Sequence, residues 1–181
     1  LVAPSWGDKS FITTCGKQLI KNILEAGYKV VFRPHPQSFT ADQEALEEIK
    51  TAFESNTNFQ FDKSDDNKRA LSNSKIVISS MSGLVFDSII EHKKPTIVIN
   101  SKWNERGWES YSIKNTSSTH LLLEDLGKII SEDDIVNIET IIKGVEDLHI
   151  TDEIINEYIF NFKSAGKVAA NQIKSLYNKI E

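Results

Sequence analysis

A histidine bracketed by two prolines is the residue of this sequence best placed to do chemistry. The segment Arg33-Pro34-His35-Pro36 directly follows an apolar, β-rich run that ends at Phe32. The prolines restrict the backbone, so they would hold the His35 imidazole rigidly at the end of that strand. An imidazole can donate to a phosphate or exchange a proton near neutral pH, and an arginine suits bidentate phosphate contact. His35 is therefore the candidate catalytic residue, and Arg33 and His35 are candidate phosphate ligands. A structural turn with a solvent-facing histidine is the alternative.

A serine-rich junction, Ser79–Gly83, joins a predicted buried strand to a predicted helix. The exposed N–H groups at a helix start and the helix dipole favour an anion at that point. Ser80 and Ser82 would add hydroxyl donors, and Gly83 would let a phosphate approach the backbone closely. The alternative is an ordinary serine N-cap followed by a packing glycine.

Two further residues extend this candidate site. Asp87, in the first turns of the same helix, could accept hydrogen bonds from ribose hydroxyls; the alternative is an acid placed there by the helix dipole. Arg106 lies in the loop after the next strand, where it could reach a phosphate while Trp103 or Trp108 stacks on a base. A loop merely anchored by its tryptophans is the alternative.

Metal and thiol chemistry find little support in the sequence. Asp65 and Asp66 could bind a metal, but an N-cap followed by a first-turn acid is the favoured interpretation. His120 and His149 have no partners at ligand spacing, and the single Cys15 allows neither a disulfide framework nor a cysteine zinc site. No Walker loop and no Gly-x-Gly-x-x-Gly appears. We therefore expect no metal and no cofactor.

Apolar runs rich in β-branched residues alternate with helical periodicity over residues 1–100. The predicted strands cover residues 1–4, 28–32, 59–61, 75–79 and 95–99. The predicted helices cover residues 15–24, 45–53, 66–73 and 82–91, the second introduced by capping-box spacing from Thr40 to Gln43. Strands that are apolar on both faces are typical of a parallel sheet covered by helices, which predicts a doubly wound, Rossmann-like α/β fold. Such sheets bind ligands at the carboxyl ends of their strands.

The last third of the chain is predicted to be helical. Within residues 119–130, the apolar run Leu121-Leu122-Leu123 fits either a strand or the start of a helix. From about 131 to 181 the pattern indicates a C-terminal helical tail whose apolar stripes belong to the core. The three stripes are Ile135, Ile138, Ile142 and Val145; Ile154, Ile155, Tyr158, Ile159 and Phe162; and Ala169, Ile173, Leu176 and Ile180.

Composition narrows the classes of function. The length of 181 residues suits one α/β domain, and the net charge of −5 does not favour a duplex nucleic-acid binder. No apolar run reaches the ~20 residues of a membrane-spanning helix, and no signal peptide is visible. The single cysteine fits a reducing cytoplasm. Because Leu1 already lies in a predicted strand, we expect a further N-terminal domain in a longer protein.

Taken in order, these segments resemble the C-terminal domain of the CDP-glycerol glycerophosphotransferase family, whose members polymerise or prime teichoic acids on a GT-B fold. The resemblance covers about residues 1–111. The matching segments are Ala3-Pro4-Ser5-Trp6, Arg33–Pro36, Ser64-Asp65, Ser79–Asp87, Lys94–Ile99 and Arg106-Gly107. The family usually has Thr-Asp-Tyr-Ser-Ser where this chain has Ser-Ser-Met-Ser-Gly at 79–83, which allows a different donor head group.

The resemblance implies that residues 1–181 form one nucleotide-binding domain, half of a GT-B fold whose N-terminal acceptor domain is outside this chain. It implies that His35 and Ser82 bind the donor's pyrophosphate, and it extends more weakly to Arg33, Gly83, Asp87 and Arg106. The family's catalytic base is a histidine of the N-terminal domain. The isolated domain is therefore expected to be inactive.

We therefore expect the donor-binding domain of a transferase that moves glycerol phosphate, or a related polyol phosphate or sugar, from a CDP-linked donor to a cell-wall or surface-polymer acceptor. The expected partners are that donor, a polyol-phosphate or glycan acceptor and the N-terminal domain, without nucleic acid. An NDP-sugar glycosyltransferase or 2-epimerase-like domain and a non-catalytic nucleotide- or phosphate-binding module are the alternatives. The expected location is the cytoplasm. Peripheral association with the inner face of the cell membrane, through the N-terminal domain, is the alternative.

Overall fold

Short β-branched runs form the strands of a parallel sheet in the computed structural model, which describes residues 1–7, 10–100 and 118–178. The chain divides into two compact units, residues 1–149 and 150–181. The strands are β1 (Val2–Ala3), β2 (Val30–Phe32), β3 (Phe59–Phe61), β4 (Val77–Ser79), β5 (Thr96–Asn100) and β6 (Gly127–Ser131). Their order across the sheet is β3-β2-β1-β4-β5-β6, and every neighbouring pair is parallel.

Helices connect these strands. They are α1 (Lys17–Glu25), α2 (Ser38–Ala41), α3 (Gln43–Phe53), α4 (Asn67–Asn73), α5 (Gly83–Ile90), α6 (Ser118–Asp125) and α7 (Ile138–Val145). A π-helical turn over Ile12–Gly16 leads into α1, and a 3-10 helix over Glu132–Asn137 leads into α7. The predicted doubly wound, Rossmann-like α/β fold is confirmed.

Alternation along each strand sends side chains to two buried faces of the sheet. On one face Val2, Phe32 and Ile97 lie in a core to which α1, α3 and α7 contribute. On the other face α5 lies against β4 and β5. Both faces are therefore covered by helices, as a parallel sheet requires.

The strand order reverses beside β1. From β1 the chain runs outward through β2 to β3, then returns across β1 to β4 and runs outward the other way. The loops after β1 and β4 consequently leave the carboxyl edge of the sheet in opposite directions. This point is where ligands bind in open α/β sheets.

The structure resolves one choice that the sequence left open and corrects one local prediction. The open choice at 119–130 resolves into α6 followed by β6, a strand that the helical periodicity from residue 131 obscured. The predicted capping box at Thr40 is wrong, because Thr40 lies inside α2 and Asp42 precedes α3 without a side-chain cap. A capping box does form at Ser131 with Asp134, where the 3-10 helix begins.

The second unit contains α8 (Asp152–Tyr158) and α9 (Ala165–Tyr177). Of the second predicted stripe, Ile155 is buried, whereas Ile154, Tyr158, Ile159 and Phe162 are only partly buried. The third stripe was predicted to be core, and this is wrong for its described members because α9 has no buried residue. Within residues 1–7, 10–100 and 118–178, the helices are too short or too polar to cross a membrane.

Candidate functional site

A cleft of about 400 Å³ opens at the carboxyl edge of the sheet, where the strand order reverses. We call it the edge cleft. It is lined by Ala3 at the end of β1 and Pro4 and Ser5 after it, by Arg33–Pro36 after β2, by Asp65 and Asn67 at the start of α4, and by Ser82 and Leu84 at the start of α5. Three of the residues singled out in the sequence, Arg33, His35 and Ser82, thus line one cleft.

His35 is exposed in this cleft, and a backbone contact sets its ring chemistry. The N–H of Gln37 donates to His35 Nδ1 at 3.1 Å. A neutral imidazole has one donor and one acceptor nitrogen, so with Nδ1 accepting, its proton lies on Nε2. Pro34 has no backbone N–H and ends the ladder that Arg33 extends by donating to the carbonyl of Val2 at 2.9 Å. Neutral His35 can therefore act as a hydrogen-bond donor through Nε2.

Arg33 is fixed by an ion pair. Its Nη1 donates to Asp62 Oδ2 at 2.8 Å and to Ser64 Oγ at 2.9 Å. Only 13% of the Arg33 side chain and 12% of the Asp62 side chain are exposed. Burial disfavours the Asp62 carboxylate, but hydrogen bonds from the Ser64 amide and hydroxyl and from Arg33 outweigh it and lower the pKa of Asp62. Because Nη1 is committed, the Nη2 and Nε donors are the ones that remain for an anion.

The start of α5 supplies the opposite wall of the cleft. Ser82 is the N-cap in an extended conformation, and its side chain makes no capping bond. The amides of Gly83 and Leu84, at the first positions of α5, have no intrahelical acceptor. Ser82 Oγ lies 3.4 Å from Ser79 Oγ, which itself donates to the carbonyl of Ala3 at 2.6 Å. A contact of 3.4 Å between hydroxyls is weak, so a phosphate oxygen would compete well for the Ser82 proton.

The other predicted ligands lie in different settings. Ser80 is buried and accepts the N–H of Ser5 at 3.3 Å, so its hydroxyl contacts the loop after β1. Gly83 is exposed, and a β-carbon there would meet open space, so no protein packing requires a glycine. Asp87 is exposed on α5 and is not one of the described residues that line the edge cleft. Arg106, like Trp103 and Trp108, lies outside the described residues.

Asp65 and Asn67 also line the cleft; the sequence offered Asp65 only as a possible metal ligand or helix-capping acid and did not single out Asn67. The predicted pair of an N-cap and a first-turn acid is corrected by one residue: Asp66 is the N-cap of α4 and accepts the Lys68 N–H at 2.9 Å, and Asp65 precedes it. Asp65 makes no hydrogen bond or ion pair with any residue of the described ranges. The bond from Arg33 to Ser64 places this segment beside the end of β2. The signal in the sequence that could have identified Asp65 as a lining residue is the Ser64-Asp65 segment, which belongs to the family resemblance.

Metal ligation and thiol chemistry gain no support from the geometry. Among residues 1–7, 10–100 and 118–178, no three His, Cys, Asp or Glu side chains group as metal ligands would. Burial, followed by the nearby Glu132 carboxylate, raises the pKa of Cys15 to about 11. The thiol therefore stays protonated near neutral pH and is a poor nucleophile.

The edge cleft brings the carboxylate of Asp65 together with groups that can bind an anion. Arg33 contributes a fixed positive charge, His35 an imidazole N–H, and Ser82 with α5 a hydroxyl and helix-start amides. Searches with protein-family models and against curated proteins return no match to this chain. These groups together have the chemistry to hold a phosphate or pyrophosphate group.

Proposed function

We propose that this chain binds the pyrophosphate of a nucleotide-linked donor in the edge cleft, as the donor-binding domain of a transferase. The observation that supports this most is the convergence of Arg33 and His35, from the segment after β2, and Ser82, from the segment after β4, on one cleft at the strand-order reversal. In the proposed reaction the donor is CDP-linked, and glycerol phosphate or a related polyol phosphate moves to a polymer acceptor. The resemblance to glycerophosphotransferases supports this choice of donor.

The proposed chemistry is displacement at the distal phosphorus of the donor. An acceptor hydroxyl oxygen would form a bond to that phosphorus and lose its proton to a base of another domain. The bond from phosphorus to the bridging oxygen would break, and the nucleoside monophosphate would leave with an additional negative charge. Arg33, the Nε2–H of His35 and the start of α5 are the groups of this chain that would stabilise that charge.

Calorimetric titration of the chain tests the proposal. We expect binding of CDP, CDP-glycerol and inorganic pyrophosphate, weaker binding of CMP, and a preference for CDP over UDP. His35→Ala should lower pyrophosphate affinity about tenfold, the scale expected for one lost hydrogen bond to a charged group. His149→Ala is the matched control, because His149 is exposed and does not belong to the edge cleft.

The alternatives correspond to other results of the same titration. Preference for UDP would support an NDP-sugar glycosyltransferase or 2-epimerase-like domain. Pyrophosphate binding without preference between bases would favour a non-catalytic phosphate-binding module. Failure of every phosphate compound to bind, or equal affinity in the wild type and His35→Ala, would refute the site.

A further inference from the structure

The loop after β1, residues 4–7, is held from two sides by buried polar side chains. Ser80 Oγ accepts the N–H of Ser5 at 3.3 Å, and Asp42 Oδ2 accepts the N–H of Gly7 at 3.2 Å. Ser80 is 1% exposed and Asp42 is 5% exposed. Burying a polar side chain is unfavourable unless it is hydrogen-bonded. Two such side chains, distant from each other in sequence, thus specify the conformation of one short loop.

Gly7 fits this conformation for a backbone reason. Its φ is +64°, in the left-handed region that residues with a β-carbon rarely adopt. The loop can therefore turn sharply after Trp6 while its amide still reaches Asp42. The residue presented between the two anchors is Trp6.

The indole of Trp6 stacks on the imidazole of His35. The ring centroids are 6.2 Å apart, and the ring planes differ by 27°. Trp6 is 43% exposed, so it contributes far less to the hydrophobic core than a buried tryptophan would. The Gln37 amide sets which nitrogen of His35 accepts, and the indole restricts the plane of the same ring. Two independent contacts thus fix one imidazole that lines the edge cleft.

We propose that Trp6 is a positioning residue, which holds the His35 ring so that Nε2–H is presented to an anion in the edge cleft. Asp42 and Ser80 affect the His35 ring indirectly, because they hold the loop that carries Trp6. The effect on ligand affinity rests on the proposed phosphate-binding function. The effect on the imidazole does not, because its orientation and tautomer belong to the free chain.

NMR of the free chain tests the positioning directly. Two-bond ¹H–¹⁵N spectra of the His35 imidazole should show the Nε2–H tautomer in the wild type and in Trp6→Phe. In Trp6→Ala the two ring nitrogens should shift toward the averaged values of a mobile histidine. Unchanged nitrogen shifts in Trp6→Ala would overturn the proposal, whatever the chain binds.

A double-mutant cycle with inorganic pyrophosphate tests the consequence for binding. Trp6→Ala should weaken affinity about fivefold in the wild type and have no effect in the His35→Ala background, as expected for two residues that act as a unit. Trp6→Phe should retain affinity. An equal loss in both backgrounds would show that Trp6 contacts the ligand or supports the fold, and would overturn the proposal. A wild type that binds no pyrophosphate would instead refute the proposed function.

Two controls separate positioning from a general effect on folding. Phe39→Ala removes another exposed aromatic side chain, one whose ring contacts Phe61 and not His35, so it should leave pyrophosphate affinity unchanged. If Trp6→Ala does not fold, Trp6→Leu keeps apolar bulk without an aromatic face and takes its place in both experiments. Wild-type behaviour of Trp6→Leu in the NMR and binding measurements would then overturn the proposal.

Discussion

The guanidinium of Arg33 donates to the carboxylate of Asp62 at 2.8 Å, and it joins the end of β2 to the segment after β3. The same Nη1 reaches Ser64, one residue before Asp65. This pair therefore does two things at the edge cleft. It holds the one fixed positive charge that the described lining residues contribute, and it positions the segment that brings Asp65 to the same cleft.

Asp62→Asn should lower both stability and anion affinity. At pH 7 the free energy of unfolding should fall by about 2 kcal/mol, because Arg33 loses its charged partner in a mostly buried setting. Pyrophosphate affinity should fall severalfold, because the guanidinium is less well fixed. Urea denaturation and calorimetry measure the two effects. Glu54→Gln, at an exposed carboxylate after α3, is the control and should change neither.

The pH dependence of that stability difference has a definite sign. The pKa of Asp62 is lower in the folded chain than its ordinary value. Its stabilising contribution is therefore complete above the unfolded pKa of about 3.9 and is lost as the pH falls through the folded pKa. The unfolding free energies of the wild type and Asp62→Asn should differ at pH 7 and pH 5, and the difference should begin to shrink as the pH falls below about 4. A constant difference down to pH 3 would contradict this account of the ion pair.

Two amide substitutions of His35 distinguish its ring nitrogens. Glutamine places an N–H₂ group near the position of Nε2, whereas asparagine is shorter and reaches only to the position of Nδ1. His35→Gln should bind pyrophosphate within about threefold of the wild type, and His35→Asn should lose about tenfold, the scale of one hydrogen bond to a charged group. Calorimetry near pH 7.5 measures both. Equal losses would indicate that the Nε2–H does not act as the donor.

Asp65→Asn should strengthen the binding of inorganic pyrophosphate. The Asp65 carboxylate lines the same cleft as Arg33 and His35, and a negative charge there repels a phosphate. We expect a gain of about threefold at low ionic strength that shrinks as salt is added, because salt screens an exposed charge. Weaker binding in Asp65→Asn would mean that the carboxylate assists the ligand, through a hydroxyl or a cation. Glu54→Gln again serves as the control.

The positions of Arg33, His35 and Ser82 could be predicted from sequence because their placement follows from topology. Each comes directly after a strand or begins the next helix, and the carboxyl ends of neighbouring parallel strands share one edge. The apolar runs and prolines were enough to locate those ends. The strand before Ser82 was easy to recognise because Ile76, Val77 and Ile78 form a run of β-branched residues.

The place of the Asp65 carboxylate in this cleft was not predicted, although the sequence offered Asp65 as a possible metal ligand, because its placement depends on a contact between distant residues. Sequence reasoning chose Asp87 as the carboxylate of the site from its place on α5. Nothing local to Ser64 shows that Arg33, 31 residues away, will donate to it. Likewise the stack of Trp6 on His35 depends on Asp42 and Ser80, whose roles appear only when the loop after β1 is folded.

β6 was not located from the sequence, because the pattern over residues 119–130 left a strand and a helix start both open. This strand supplies a test that separates stability from binding. A β-carbon at Gly127 would lie 2.1 Å from the carbonyl oxygen of Thr96 and 3.3 Å from that of Leu123. Backbone atoms cannot give way as a flexible side chain can, so β6 pairs this closely with β5 only because residue 127 is a glycine. Gly127→Ala should therefore lower the free energy of unfolding by about 3 kcal/mol, as overpacking does.

Gly144→Ala is the matched control for that substitution. Gly144 is exposed within α7, and a β-carbon there meets open space, so alanine should raise the unfolding free energy by up to about 1 kcal/mol through helix propensity. Thermal and urea denaturation measure both variants. Pyrophosphate affinity, measured well below the melting temperature, should be unchanged in both, because β5 separates β6 from β4 and the edge cleft. A loss of affinity in folded Gly127→Ala would show that the far edge of the sheet helps to shape the cleft.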